Sequence, residues 1–269
     1  MMTLTFLGTG DVRQVPVYGC ECSACVAARA DERLRRRPCS ALLEVQESRE
    51  KTRGQEPGRK PQRVLIDGGL TDLAERFQPG DLKAILLTHY HVDHVQGLFH
   101  LRWGLNDLIP VYGPDDREGC ADLLKHPGLL DFRPPSEAFK AFRLGAVQVT
   151  PLPLNHSKPT FGYLFECGGQ RIAYLTDTVG LPLATAAFLA PIPDLTLVID
   201  CSHPPTAEPP RNHNDLNTVL DIHRQLQPKT TWLTHISHEM DRWLQLHALP
   251  DGIRVARDGE SFIVDSGWK

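Results

Sequence analysis

Four side chains able to ligate a metal, His89, His91, Asp93 and His94, stand within six residues directly after the apolar run 83–88. Such a run reads as a buried strand, and residues two apart at a strand end project the same way. His89 and His91 are thereby placed to hold one ion, while the turn that follows delivers Asp93 and His94 to a second. A fold that satisfies this segment must gather its remaining ligands at the same edge of a sheet. The chain offers them at the ends of other apolar segments: His156 after 149–155, Asp177 after 172–176 and His235 after 231–234. Each alone is an ordinary strand-end residue; their recurrence makes them one constellation.

The surrounding pattern is layered α/β. Strands are predicted at 3–7, 41–45, 63–66, 82–88, 147–152, 160–167, 171–176 and 195–199, helices at 24–37, 183–189 and 215–226, and a helix start in 95–103. No fixed repeat and no long linker interrupts them, so the 269 residues read as a single domain. The charged, Gly- and Pro-rich stretch near 48–62 reads as an exposed, mobile hairpin connection, and Arg35, Arg36 and Arg37 as a solvated helix face stopped by Pro38.

With 29 Lys and Arg against 33 Asp and Glu, a net charge of -4 gives no bulk attraction to nucleic acid or an anionic membrane. No apolar run approaches the roughly 18 residues that span a bilayer, and residues 1–14 lack the basic region and cleavage site of a secretory signal. A cytoplasmic protein is expected. Of seven cysteines, Cys20, Cys22 and Cys25 lie too close together for an ordinary disulfide framework in a reducing compartment. A zinc-binding loop near 19–26 is the better reading, and three thiolates leave a tetrahedral zinc one ligand short. Cys39 is a candidate substitute; Cys120, Cys167 and Cys201 read as small buried residues.

The run His-x-His-x-Asp-His, followed in order by a His, an Asp and a final His, resembles the metallo-β-lactamase superfamily, and Asp67-Gly68-Gly69 after the strand 64–66 extends the likeness over nearly the whole chain. The resemblance implies an α/β fold, an αββα sandwich. It also implies that His89, His91 and His156 hold one ion, that Asp93, His94 and His235 hold the other, and that Asp177 bridges them. Asp67 would orient a ligand histidine.

Within that superfamily the chain is most similar to the cyclic phosphodiesterases of the carbon–phosphorus lyase pathway. The likeness rests on Gly19-Cys20-Glu21-Cys22-Ser23-Ala24-Cys25, Thr88-His89-Tyr90-His91, Asp93-His94-Val95-Gln96-Gly97-Leu98 and Leu154-Asn155-His156-Ser157-Lys158. It continues through Asp200-Cys201-Ser202-His203-Pro204-Pro205, Arg211-Asn212-His213, Asp215-Leu216-Asn217 and Thr234-His235-Ile236-Ser237-His238. It implies His238 as fourth ligand of a structural zinc, a catalytic part for Asp93 beside its ligand role, and a homodimer. Imidazole and carboxylate donors suit Mn, Zn or Fe, and the family favours Mn in the active site. The implied reaction opens 5-phospho-α-D-ribose 1,2-cyclic phosphate to ribose 1,5-bisphosphate during phosphonate use, with activity on 2',3'-cyclic nucleotides as well.

A leaving sugar oxygen needs a proton, which an imidazole outside the ligand set is suited to give. His213, in the polar Pro-rich loop 209–213, is the candidate; His203 reads equally as support for a ligand or as catalytic. Lys158 and Arg211 are candidates for holding a second phosphate. Expected partners are thus a small phosphorylated sugar, with no nucleic acid and no membrane. Two other readings are a tRNA 3'-processing endonuclease and a nonhydrolytic cofactor-biosynthesis accessory protein on the same scaffold. The former carries a long tRNA-gripping insertion where only 21 positions separate His156 from Asp177. The latter can afford to lose dinuclear ligands, and all seven are present.

Overall fold

The computed structural model describes residues 1–46, 60–208 and 210–264. Among them, β1 (Met2–Gly8), β2 (Ser40–Val45), β3 (Gln62–Ile66), β4 (Leu82–Leu86), β5 (Ile109–Tyr112) and β6 (Leu130–Phe132) lie side by side in chain order in one sheet. The second sheet runs through β7 (Phe142–Leu144), β8 (Val147–Pro153), β9 (Phe161–Cys167), β10 (Gln170–Leu175), β11 (Thr196–Asp200), β12 (Thr230–Thr234) and β13 (Ile253–Val255), after which β14 (Ser261–Ile263) returns to the edge of β1. Strands β3 to β6 pair in parallel, as do β10 to β13. Parallel neighbours need crossovers, and these carry the helices.

The helix α1 (Ser23–Ala30) lies between β1 and β2. The first sheet's crossovers hold α2 (Leu73–Arg76), α3 (Val92–Val95), α4 (Leu98–Leu101) and α5 (Ala121–Lys125); those of the second hold α6 (Leu183–Leu189), α7 (Leu216–Leu226) and α8 (His238–Leu244).

Alternation of side chains sends each strand into two different cores. Ala41, Leu43, Val64, Ile66, Ala84 and Leu86 face Val149, Phe165, Ile172, Tyr174 and Val198 between the sheets. Their strand neighbours Leu42, Leu65 and Ile85 turn outward onto Leu73, Leu98 and Leu101. On the other side, Ala173, Leu175, Leu197 and Ile199 meet Leu189, Leu216, Val219 and Ile222. Three apolar layers between four secondary-structure layers make an αββα sandwich of the metallo-β-lactamase type, as the sequence predicts.

The charged connection near 48–62 lies mostly outside the described residues; at its edge Val45 pairs antiparallel with Gln62. The single helix predicted at 24–37 ends at Ala30 instead, giving way to a 3-10 turn, Glu32–Leu34, whose start is capped by the Asp31 side chain. Of the basic run, Arg35 is exposed and Arg37 half-buried, but Arg36 is not solvated. Arg36 is only 2% exposed, and its guanidinium donates to Asp241 on α8 at 2.6 and 2.8 Å, to Thr9 Oγ1 at 2.8 Å and to the Ala256 carbonyl at 2.7 Å. A buried guanidinium is tolerable only when its donors are matched in this way. Of the three cysteines read as small buried residues, Cys201 is buried, whereas Cys120 and Cys167 are half-buried.

Asp67, Gly68 and Gly69 turn tightly over the segment that carries Asp93 and His94, with the Gly68 N–H donating to the His94 carbonyl at 2.7 Å. A Cβ on Gly69 would stand 2.0 Å from the Asp93 carbonyl oxygen and 2.9 Å from Pro38 Cβ. Gly69→Ala is therefore expected to cost about 3 kcal/mol, read as a lowered midpoint in urea denaturation. A parental midpoint would show that the turn can move aside.

Candidate metal centre

The ends of four strands meet at one edge of the sandwich. Residues 89–94 follow β4, His156 follows β8, Asp177 follows β10 and His235 follows β12. Within each of two groups, His89/His91/His156/Asp177 and Asp93/His94/His235, one donor atom per residue lies within 4.8 Å of every other. His91 Nδ1 is 2.8 Å from His89 Nε2 and 3.0 Å from His156 Nε2. Asp177 belongs to both groups in space, because its Oδ2 lies 3.6 Å from His89 Nε2, 3.8 Å from His156 Nε2, and 3.4 Å from both His94 Nε2 and His235 Nε2.

Two buried carboxylates hold four of the imidazoles in place, by the same device. Asp67 Oδ2 accepts from His94 Nδ1 at 2.8 Å and from the Thr88 hydroxyl at 2.8 Å, and that hydroxyl is 3.0 Å from His89 Nδ1. Asp200 Oδ2 accepts from His213 Nδ1 at 2.8 Å, while its Oδ1 accepts from Ser202 Oγ at 2.8 Å, itself 2.9 Å from His235 Nδ1. Each carboxylate fixes one ring directly and another through a hydroxyl, so each ring turns Nε2 away from its anchor. His156 is fixed likewise, its Nδ1 lying 3.1 Å from the Asn212 carbonyl.

The donors fit divalent ions. Fully buried, His94 Nε2 and His235 Nε2 have no hydrogen-bond partner among the described residues, a costly arrangement for polar atoms unless something electropositive is to be bound. The charge balance agrees. Burial pushes the His94 and His235 imidazoles down, but Asp177 with Asp67 and Asp93 outweighs it at His94, and Asp177 with Asp93 and Asp200 lifts His235 to about 9. Burial, then His94, holds His89 well below the ordinary histidine range. Asp177, despite burial, is held well below the carboxylate range by His235, His94 and His89.

A second cluster lies at the start of α8. Cys20, Cys22, Cys25 and His238 each offer a donor atom within 4.8 Å of the others, with His238 Nδ1 3.3 Å from Cys20 Sγ and 3.4 Å from Cys22 Sγ. The Val17 N–H donates to Cys25 Sγ at 3.3 Å. Cys39 is elsewhere, buried against Tyr174 Oη at 3.3 Å, so it does not join this cluster.

The other predicted residues fall around the first cluster. His213 stacks on His235 with ring centroids 4.8 Å apart and lies 5.2 Å from the ring of His156. Burial lowers its pKa, but Asp200 more than restores it, and it stands raised. The half-buried ring of His203 is 6.4 Å from that of His213. Lys158 does not present a bare charge, since its Nζ bonds Asp116 Oδ2 at 3.0 Å. Arg211 is exposed, in the loop whose Asn212 anchors His156. Sequence reasoning gave no role to Asp200 or Ser202. Asp200 ends the apolar strand β11 just as Asp177 follows β10, and that placement was the available signal.

A model of the β-lactamase superfamily domain matches residues 62–236. The chain belongs to the β-lactamase superfamily. Among solved structures of similar fold, a new diphosphatase from the PhnP family is 28% identical, with a TM-score of 0.78 over 98% of both chains. Zn²⁺-bound PqqB from Methylobacterium extorquens is 19% identical with a TM-score of 0.73 over 97% of this chain and 100% of that one, a likeness of fold. An octanoyltransferase from Porphyromonas gingivalis is 26% identical over 280 residues, which is 98% of this chain and 52% of that protein. The chain thus spans about half the length of that relative. Among the described residues, no helix is long and apolar enough to cross a membrane.

Proposed function

We propose that this metallo-β-lactamase-fold hydrolase is a metal-dependent phosphodiesterase that opens 5-phospho-α-D-ribose 1,2-cyclic phosphate to ribose 1,5-bisphosphate in phosphonate catabolism, and also accepts 2',3'-cyclic nucleotides. The observation that carries this is an imidazole outside the ligand set, His213, braced by Asp200 and stacked on His235. It is supported by likeness to a PhnP-family diphosphatase along the full length of both chains.

His89, His91 and His156 would hold one ion, Asp93, His94 and His235 the other, with Asp177 shared. Ions so held would lower the pKa of water toward neutrality and neutralise charge on phosphoryl oxygens. Water supplies the oxygen that bonds to phosphorus, and because the product keeps its phosphate on C1, the P–O2 bond is the one that breaks and O2 needs a proton. His213 gives it from Nε2, because Nδ1 is committed to Asp200 at 2.8 Å. The Asp200 carboxylate keeps that imidazole protonated and aimed. Arg211 takes the 5-phosphate in a planar fork, and Lys158 joins it by exchanging Asp116 for phosphate. In the Cys20/Cys22/Cys25/His238 set all four ligands come from protein, which is the pattern of a structural zinc.

Between His156 and Asp177 the chain forms β9 and β10, which argues against the long insertion of a tRNA 3'-processing endonuclease. The full dinuclear donor set argues against a nonhydrolytic accessory protein. Steady-state kinetics on 5-phospho-ribose 1,2-cyclic phosphate, its dephosphorylated analogue, a 2',3'-cyclic nucleotide, a precursor tRNA and an octanoyl thioester test the reading. The phosphorylated cyclic sugar is expected to give the highest kcat/KM, because binding energy at the remote phosphate orients the ring over the site. Faster turnover of the tRNA or the thioester, or no advantage for the 5-phosphate, would overturn it.

A further inference from the structure

His238 has two ring nitrogens with different surroundings. Nδ1 faces the thiols of Cys20 and Cys22, while Nε2 lies 2.9 Å from Oε1 of the adjacent Glu239 and 3.4 Å from Arg13 Nη1, which as a donor only leaves Glu239 the acceptor open to an Nε2 proton. Glu239 is gripped in turn by a fork from Arg13, Nη1 to Oε1 at 3.0 Å and Nη2 to Oε2 at 2.8 Å. Arg13 is itself fixed by Asp11, which accepts from its Nε at 3.2 Å, its Nη2 at 3.0 Å and its backbone N–H at 3.0 Å. Asp11 is 5% exposed, and its N–H donates to the carbonyl of Ile236, whose own N–H donates to Thr9. A closed circuit thus runs from His238 through Glu239, Arg13 and Asp11 back to the residue two before His238.

A neutral imidazole carries one N–H, and the atom that ligates must be the other nitrogen. Resting on the reading of Cys20, Cys22, Cys25 and His238 as a zinc site, we propose that Glu239 and Arg13 are positioning residues for it. Glu239 accepts the Nε2 proton of His238 and so presents Nδ1 to the metal, and Arg13 holds the Glu239 carboxylate in that pose. As a surface ion pair alone the couple would matter little, since exposed pairs contribute weakly to stability. As a partner to a ligand's far nitrogen it fixes tautomer and ring orientation, for which losses of about 10- to 100-fold in metal affinity are typical. The circuit also ties residues 9–13 to the segment that bears His235 at its other end.

The test uses the full chain loaded with zinc, and follows zinc release to 4-(2-pyridylazo)resorcinol together with the ¹⁵N long-range correlation spectrum of the histidine rings. The parent is expected to keep one slowly released zinc and to show His238 protonated at Nε2. Glu239→Ala and Arg13→Ala are expected to release it about 10- to 100-fold faster, Glu239→Ala with a mixed His238 tautomer. Glu239→Gln, which keeps a carbonyl acceptor, should recover most of the parental tautomer. If an alanine variant does not fold, Arg13→Lys carries the test, keeping the charge but losing the fork, and should release zinc several-fold faster. A parent that retains no zinc overturns the site and the relay with it. A parent that retains zinc, with variants releasing it at the parental rate and an unchanged tautomer, overturns the relay alone.

Discussion

Asp177→Ala is expected to leave a folded protein whose turnover falls by about 10⁴-fold or more, because the ions that provide most of the rate enhancement are no longer held. Among the described residues Asp177 is the carboxylate common to both donor groups, with Oδ2 between 3.4 and 3.8 Å from four imidazole nitrogens. Without it, five histidines and Asp93 would be left to hold the two proposed ions with a single carboxylate. Elemental analysis after gel filtration should show zinc retained at the cysteine cluster and the other ions lost. Asp177→Asn, which keeps the shape and loses the charge, should fall between. Retention of all ions by the alanine variant, at parental turnover, would remove the basis for a shared-carboxylate site.

His213→Ala is expected to lower kcat on the cyclic sugar phosphate by about 10²- to 10⁴-fold with metal content unchanged. The ring stacks on His235 at 4.8 Å and lies 5.2 Å from that of His156, a donor atom of it falls within 4.8 Å of Asp177 and His235, and among the described residues its polar anchor is Asp200. Asp200→Asn should lose a comparable factor, since an amide can accept the Nδ1 proton but supplies no charge to hold the second proton on the ring. A good leaving group needs little proton donation, so bis-p-nitrophenyl phosphate should be far less affected than the sugar diester. Equal losses on both substrates would mean that His213 positions the phosphate and does not protonate the leaving oxygen.

The clustering of the candidate donors is legible because each stands where an apolar strand stops, a place that period-two patterning marks directly. Asp200 carried the same mark at the end of β11 and was passed over because no ligand pattern requires a residue there. Its importance appears only when Ser202 and His213, two and thirteen residues on, fold back onto it. Strands β5, β6, β7, β13 and β14 have three or four residues each, too few for any period to show. The burial of Arg36 was equally hidden. Its partner Asp241 lies 205 positions away, so nothing local distinguishes it from its neighbour Arg35, which pairs on the surface with Glu32.

The donors are divided between the sheets: residues 89–94 hang from the first, and His156, Asp177 and His235 from the second. Any ion held by both halves is therefore a reversible rivet across the seam of the sandwich, and the native state inherits its binding free energy. At a hundredfold excess of free ion over the dissociation constant that linkage is about 2.7 kcal/mol for one site, a sizeable part of the margin by which a domain resists unfolding. With ions bound across that seam, the supply of divalent metal in the surrounding medium would bear on how long the chain stays folded as well as on its turnover, and metal starvation would raise its exposure to proteolysis.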